Sequence, residues 1–405
     1  MIIASSLAGV CMFAVHKAAG AMPKAEYGVF TTLLQVLNQM TIPAVGLQLS
    51  FAQMTVDSVA ANRPEKLRGA LRAVMLGTFA VWLLMAVPSL VFQNWVVTEY
   101  KIANPAAIWV TLLLGLASLW SPIILGTLQG RQNFMWLGWA FMLNGLTRLI
   151  AVTVFVIALG WAAAGAMFGA VLGMVISMLI GVWQTREYWH GPAEPFEWGP
   201  WLKRLLPLTI GFGGVLYMMS LDMIVVQRYF PAQETGYYGA AGMIGRAIYF
   251  FTAPLTAVMF PKIVDSAARS EKSNVLFLAL GATALMGGGA ALFCTLFPSL
   301  PLRLVYNESF LKIAPLVPVF AWCMLPLTLS SVLINNLLAR AKFAVVPWLA
   351  LLAVAYYFAL SRAAQLALRD PANIGPDDFV PVVKTLGLFA SLMMGICLFF
   401  TWQGR

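Results

Sequence analysis

Apolar segments of about twenty residues run through almost the whole chain. Helices of about that length span the ~30 Å hydrocarbon core of a bilayer. A helix is stable there because its backbone N–H and C=O groups form hydrogen bonds with each other. Charged residues make up only 10% of the chain, against roughly 25% in soluble domains. We therefore predict an all-α integral membrane protein with about twelve transmembrane helices. They can be placed at roughly 2–21, 29–54, 73–93, 106–128, 134–159, 162–183, 205–230, 237–260, 275–297, 313–337, 345–361 and 381–402.

The chain also contains an internal repeat. Residues 23–60 recur as 231–268 at a constant offset of 208 positions, as from Pro23 to Pro231 and from Asp57 to Asp265. Two similar halves in one membrane chain are typical of transporters. Because each half has an even number of spans, both halves enter the membrane from the same side. The repeat therefore predicts two parallel six-helix bundles, 1–183 and 205–405.

Residues 184–204 are predicted to be a cytoplasmic linker along the lipid headgroups. Lysines and arginines are more numerous in the loops on this side, which by the positive-inside rule places both termini in the cytoplasm. Aromatic residues suit the interface, and prolines are expected to break any long helix. The aromatic residues are Trp189, Phe196, Trp198 and Trp201, and the prolines are Pro192, Pro195 and Pro200.

The amino-terminal segment has two interpretations. Residues 19–21 resemble a signal-peptidase site, but no positive residue precedes the apolar run, as a signal peptide requires. Residues 6–23 instead align with 214–231 of the second half, a full helix. We expect this segment to be retained as the first helix. Since the basic residues before the second copy have no counterpart, we also expect the natural protein to begin a few residues before Met1.

Several ionisable residues lie inside predicted spans, where each charge costs about 2.5–3.5 kcal/mol or more on insertion at the bilayer centre. They are Arg246, Arg148, Lys17, Asp222 and His16. The functional interpretation is a cationic chamber that binds a phosphate or pyrophosphate, because the arginine fork pairs with two phosphate oxygens.

Structural alternatives exist for each of these residues. Arg246 could pair with Asp222 and fix helix packing, and Lys17 could reach the headgroups from its helix end. Asp222 is either such a partner or a carrier for a coupling ion. His16 is either a satisfied interior histidine or part of the site.

Uncharged polar residues add candidates for cavity lining. Gln35, Asn38 and Gln39 share one face of the second span by their spacing, and Asn38 is the repeat equivalent of Arg246. Asn335 and Tyr356 are weaker candidates for sugar contacts. Ordinary polar packing between helices is the alternative.

Prolines follow the polar positions of both halves. Pro43 and Pro254 lie within about two turns of Asn38 and Arg246, where proline frees a backbone carbonyl and permits a kink. Bent helices at similar places in both halves would suit a gate.

No motif of a soluble enzyme is present. The chain has two histidines and no HExxH, phosphate-loop or dinucleotide-binding pattern, so we predict no enzyme, cofactor or nucleic-acid partner. The four cysteines fall in apolar segments without metal-ligand spacing, so no metal is expected.

At this point the chain resembles the polysaccharide-biosynthesis flippases of the multidrug/oligosaccharidyl-lipid/polysaccharide (MOP) exporter superfamily, which includes the MATE transporters. The resemblance rests on the segments 222–230 (DMIVVQRYF) and 234–241 (ETGYYGAA), with Arg246, Pro254 and 260–262 (FPK) following. In the first half it rests on 25–28 (AEYG) and 128–134 (LQGRQNF).

The resemblance implies a multi-pass flippase of the bacterial inner membrane. Such proteins move undecaprenyl-pyrophosphate-linked oligosaccharide units to the periplasmic leaflet for O-antigen, capsule or exopolysaccharide (lipopolysaccharide-type) assembly, by alternating access around a central cationic cavity. Expected partners are the lipid-linked substrate, membrane lipids and the polymerase and glycosyltransferases of the pathway. The main alternative is a cation-coupled multidrug exporter on the same fold; a scaffold protein and a membrane glycosyltransferase are further alternatives.

Overall fold

The protein is all-helical in the part described by the structure, a computed structural model covering residues 2–268, 275–340, 342–368 and 374–403. It divides into two compact units, Met1–Thr209 and Ile210–Arg405, with the boundary inside one helix. The helices that begin in the first unit are α1 (Ile2–Ala19), α2 (Lys24–Met40), α3 (Ala44–Ala60), α4 (Pro64–Val91), α5 (Gln93–Glu99), α6 (Ala106–Gly130), α7 (Phe134–Val152), α8 (Ala162–Gln184) and α9 (Trp198–Tyr229). A π-helical turn, Thr153–Ala158, extends α7.

The second unit repeats this order of elements. Its remaining helices are α10 (Ala232–Ala268), α11 (Val275–Leu296), α12 (Leu300–Val305), α13 (Leu316–Ala339), α14 (Val346–Ala367) and α15 (Pro376–Gln403). A helix thus covers each of the predicted apolar segments. Nine helices in the described residues are long and apolar enough to cross a membrane by length and composition.

Equivalent helices also pack on each other in equivalent ways. In the first unit α8 packs against α6 and α7, and α6 packs against α3. In the second unit α15 packs against α13 and α14, and α13 packs against α10. The short helices α5 and α12 follow the third apolar segment of their respective halves. The internal repeat seen in the sequence is therefore a repeat of both helix order and helix packing.

The second predicted span is not one helix, as 29–54 suggested, but two. α2 ends at Met40 and α3 begins at Ala44, with Pro43 as the N-cap residue of α3. Proline has no N–H to donate into a preceding turn and its ring crowds the carbonyl four residues back. In the second half α10 runs without interruption through position 254. The side chain of Pro254 lies outside the described residues.

The linker packs on the first unit. Trp189, Phe196 and Trp201 pack against a buried core cluster that includes Leu47 and Phe51, and the Trp201 indole donates a 2.6 Å hydrogen bond to Ser50. The expectation that Pro200 breaks the helix was wrong, because α9 begins at Trp198 and Pro200 lies in its first turn. Proline is tolerated there because the first N–H groups of a helix have no partner within it.

Candidate functional site

Arg246 and Asp222 form a buried ion pair in the second unit. The Arg246 Nη2 atom lies 2.6 Å from Oδ1 of Asp222, and the side chains are 4% and 0% exposed. Asp222 lies on α9 and Arg246 on α10, so the pair ties the first two helices of this half together. This is the contact expected if Arg246 pairs with Asp222 and fixes the packing of the helices.

Further hydrogen bonds complete the surroundings of this pair. The Tyr238 hydroxyl donates to Oδ2 of Asp222 at 2.8 Å, and the Arg246 Nε donates to the Met219 carbonyl at 2.8 Å. The Phe320 ring centroid lies 5.9 Å from the guanidinium carbon. Both carboxylate oxygens therefore have partners, as do the Nε and Nη2 atoms of the guanidinium. Additional hydrogen bonds of this kind help a buried ion pair to offset the cost of removing its charges from water.

Arg148 occupies a different environment in the first unit. Its side chain is buried, with the residue only 8% exposed, and its Nη1 lies 3.5 Å from the sulfur of Met12 on α1. Its Nε atom is buried without a hydrogen-bond partner. Among the described residues, no carboxylate forms an ion pair with Arg148.

His16 lies one helical turn beyond Met12 on the same face of α1. Its Nδ1 and the hydroxyl of Tyr27, on α2, form a 3.0 Å hydrogen bond, and the Phe30 ring packs at 5.7 Å. His16 is therefore a buried histidine with a partner. The buried His16 and Arg148, with the more exposed Met12 beside them, form a cluster in the first unit that contains basic groups and no acid in the described residues.

The two clusters differ in what they can do chemically. In the Arg246 cluster, Asp222 neutralises the charge of the guanidinium. The Arg148 cluster carries a cation with unused donors, and a guanidinium binds phosphate or carboxylate oxygens through paired hydrogen bonds. No group of three or more His, Cys, Asp or Glu side chains in the described part could hold a metal ion.

The remaining residues predicted for the site differ in their exposure and in their hydrogen-bond partners. Lys17 is exposed in the last turn of α1. Asn38 donates to the buried Gln35 at 3.1 Å, so these two amides bind each other within α2, while Gln39 is half-buried. Asn335 donates to the Ser331 carbonyl on its own helix at 2.7 Å.

Tyr356 is fully buried and its hydroxyl donates to the Met218 carbonyl at 3.3 Å. It therefore lies beside the Arg246 cluster, since Met218 precedes Met219 on α9.

Two tyrosines of these clusters were not predicted from the sequence. They are Tyr238, which binds Asp222, and Tyr27, which binds His16. Tyr238 is the repeat equivalent of Phe30, so the copies differ by one hydroxyl at a buried position. A buried phenol needs a hydrogen-bond partner, and this difference between the copies was the available signal. Tyr27 had no comparable signal, because its equivalent is Thr235.

Comparison with solved structures shows the fold. An inward-facing multidrug resistance MATE family transporter of the MOP superfamily matches with a TM-score of 0.74 and 13% identity, covering 98% of this chain and 94% of that one. The lipid II flippase MurJ, in an inward closed conformation, matches with a TM-score of 0.70 and 12% identity, covering 97% and 87%. A MOP superfamily transporter from Pyrococcus furiosus matches at 0.62 and 13%, covering 99% and 94%.

Comparison of sequences identifies the family. A search of curated proteins finds no match to this chain. The sequence model of the family described as "Polysaccharide biosynthesis protein" matches residues 18–267, which is more than half of the chain and includes Arg148, Asp222, Tyr238 and Arg246. This confirms the resemblance stated from the sequence motifs: the chain belongs to the polysaccharide biosynthesis protein family and has the fold of MOP superfamily transporters.

Proposed function

We propose that this protein is a flippase that moves undecaprenyl-pyrophosphate-linked oligosaccharides across the bacterial inner membrane. Membership of the polysaccharide biosynthesis family and a fold shared with a lipid II flippase support this class of cargo. In this proposal all the apolar segments cross the membrane, giving about twelve spans with both termini in the cytoplasm. The product serves O-antigen, capsule or exopolysaccharide assembly.

The observation that carries the proposal is the buried Arg148, which has no carboxylate partner in the described part of the chain. Keeping an uncompensated guanidinium away from water is costly, and a ligand that supplies the missing negative charge recovers part of that cost. A pyrophosphate carries several oxygens that match the guanidinium donors. We therefore assign the pyrophosphate of the cargo to Arg148, and assign to Arg246 the structural role of holding α9 and α10 together.

Transport would not require a covalent step. The headgroup would leave water for the Arg148 cluster, the sugars would bind polar side chains and water, and the prenyl chain would remain in lipid. Alternating access between duplicated halves is the usual mechanism of such folds. The direction of movement would follow from consumption of the product on the periplasmic side or from an ion gradient.

A binding experiment on the purified, detergent-solubilised protein tests this assignment. We expect Arg148→Gln to weaken binding of a fluorescent undecaprenyl-pyrophosphate disaccharide by about 10- to 150-fold, because a hydrogen bond to a charged group contributes about 1.5–3 kcal/mol. Arg148→Lys should retain part of the affinity, since it keeps the charge and loses the fork. The matched control is Arg186→Gln, which removes an exposed arginine of the linker.

The same variants should then be compared for flipping of this lipid in proteoliposomes. Slow flipping in Arg148→Gln with normal flipping in Arg186→Gln is the expected result. Unchanged binding and flipping in a folded Arg148→Gln protein would contradict the proposal. If that variant instead exports organic cations at the wild-type rate and the protein ignores the lipid, the multidrug-exporter alternative is correct.

A further inference from the structure

A groove of about 550 Å³ lies in the first unit, where α4, α6 and the linker meet. Its lining residues are Arg72, Met75, Leu76, Phe79, Trp120 and Trp189. The volume falls within the roughly 300–1,000 Å³ of pockets that bind small molecules. This groove is separate from the Arg148 cluster, to which α4 and the linker contribute no residue.

The lining of the groove is mainly apolar, although it includes two indole rings that each carry a polar N–H group. The Trp120 N–H donates to the Met75 carbonyl at 3.3 Å, and the Trp189 N–H donates to the Thr185 hydroxyl at 3.1 Å. Their polar atoms are therefore occupied and the ring faces remain for packing. Leu76 is 69% exposed, so one side of the groove is open to the surroundings of the helix. Such a surface suits a hydrocarbon chain.

Arg72 adds a positive charge at one end of this apolar surface. It is exposed and is the last charged residue of α4 before the uncharged stretch 73–91. Its Nη2 donates to the Gly191 carbonyl at 2.9 Å, and in the described residues no carboxylate pairs with it. Four of the five guanidinium N–H groups are left for other acceptors.

Arg68 lies one turn from Arg72 on the same face of α4. It donates to the Glu187 carbonyl at 3.2 Å, whereas its contact with Glu65 is long, at 3.9 Å. Its Nε is buried and has no hydrogen-bond partner. Two adjacent arginines with unused donors at the end of an apolar groove match a molecule with an anionic head and a hydrocarbon tail.

We propose that this groove binds one acyl chain of an anionic phospholipid, with the headgroup phosphate at Arg72 and Arg68. Charge complementarity selects the anionic headgroup. The position of Arg72 at the end of the apolar stretch of α4 is where a phosphate of the bilayer would lie. The bound lipid would join α4 to the linker, which both arginines already contact through backbone carbonyls.

Native mass spectrometry of the delipidated full-length protein tests the proposal. Phosphatidylglycerol should bind at least 10-fold more tightly than phosphatidylcholine with the same chains. Arg72→Gln, which keeps a donor for the Gly191 carbonyl, should remove most of that preference. Arg186→Gln is the matched control and should keep it. Leu76→Asn should weaken both lipids, because it places a polar amide on the apolar wall of the groove.

Three results would overturn the proposal. Equal affinity for both phospholipids would show that the protein does not distinguish an anionic headgroup from a neutral one. Wild-type affinity in the folded Leu76→Asn protein would show that the chain does not occupy the groove. Binding of undecaprenyl phosphate that displaces phosphatidylglycerol and is lost in Arg72→Gln would assign the groove to the tail of the cargo. Since none of these results depends on Arg148, they are distinguishable from failure of the proposed transport function.

Discussion

Two buried arginines illustrate how the same side chain can have different surroundings. Arg246 has an aspartate, a backbone carbonyl and an aromatic ring around it, whereas in the described residues Arg148 has the sulfur of Met12 as its polar contact. In both cases the cation is desolvated, and only in the first is it neutralised. The surroundings of each arginine, and not its depth in a helix, separate a structural residue from a candidate ligand-binding residue.

The Arg246 pair should be important for stability. We expect Arg246→Ala and Asp222→Asn each to lower the free energy of unfolding by about 3–5 kcal/mol, because each leaves the other group buried without its partner. The apolar double variant Arg246→Met/Asp222→Leu should lose much less. Denaturant unfolding in detergent micelles measures this. A loss in the double variant equal to the sum of the two single losses would show that the pair is not coupled.

At the scale of helices, a repeated glutamate makes a contact between helices in both halves. It lies at the beginning of α2 in the first half and of α10 in the second. Glu26 accepts a 3.1 Å hydrogen bond from the backbone N–H of Ala163, in the first turn of α8. Glu234, its equivalent, pairs with Lys312 at 3.2 Å, and Lys312 also donates to the Ile374 carbonyl just before α15. Both glutamates therefore connect the second apolar segment of a half to the beginning of its last helix, one directly and one through a lysine.

Loss of the Glu26 contact should loosen the start of α8. We expect Glu26→Ala to lower stability by about 1 kcal/mol, as for other losses of a group that caps helix N–H donors and complements the helix dipole. Glu26→Gln should have a smaller effect, because it keeps an acceptor. Amide hydrogen exchange at Ala163 is the direct measurement. Unchanged exchange there in Glu26→Ala would show that another group satisfies the N–H.

At the scale of the whole molecule, each half is held by close approach of helices at small residues. A Cβ atom at Gly126 of α6 would press against the backbone of Gln48 on α3. Small residues at such positions let helix backbones approach in membranes, where the hydrophobic effect does not drive association. Gly281 on α11 has no atom within 4 Å of a Cβ position.

These two glycines give predictions of opposite sign. Gly126→Ala should destabilise the protein, because α3 and α6 must separate. Gly281→Ala should stabilise it by about 0.5–1 kcal/mol, because alanine restricts the unfolded chain and fits an open helical site. Thermal unfolding of both variants in the same detergent makes the comparison. A stabilising Gly126→Ala would mean that α3 and α6 do not pack as the structure describes.

The sequence by itself determined the helices, the repeat and the family. Apolar length and helical spacing are local properties, so they placed helical structure on each segment, and motifs in both halves that resemble the polysaccharide-biosynthesis flippases indicated the family. It also placed Arg246, Asp222 and Arg148 inside helices, but left the pairing of Arg246 open. Local patterns did not predict that Pro43 separates two helices while α10 continues through position 254.

Only the tertiary structure decided which charges are neutralised. Asp222 and Arg246 are 24 positions apart, and Met12 and Arg148 are 136 positions apart, so their contacts depend on the rotation and approach of separate helices. The same holds for the linker, whose carbonyls meet Arg68 and Arg72 from 119 positions away. Composition and spacing do not encode these rotations, because they arise from side-chain packing summed over whole helices.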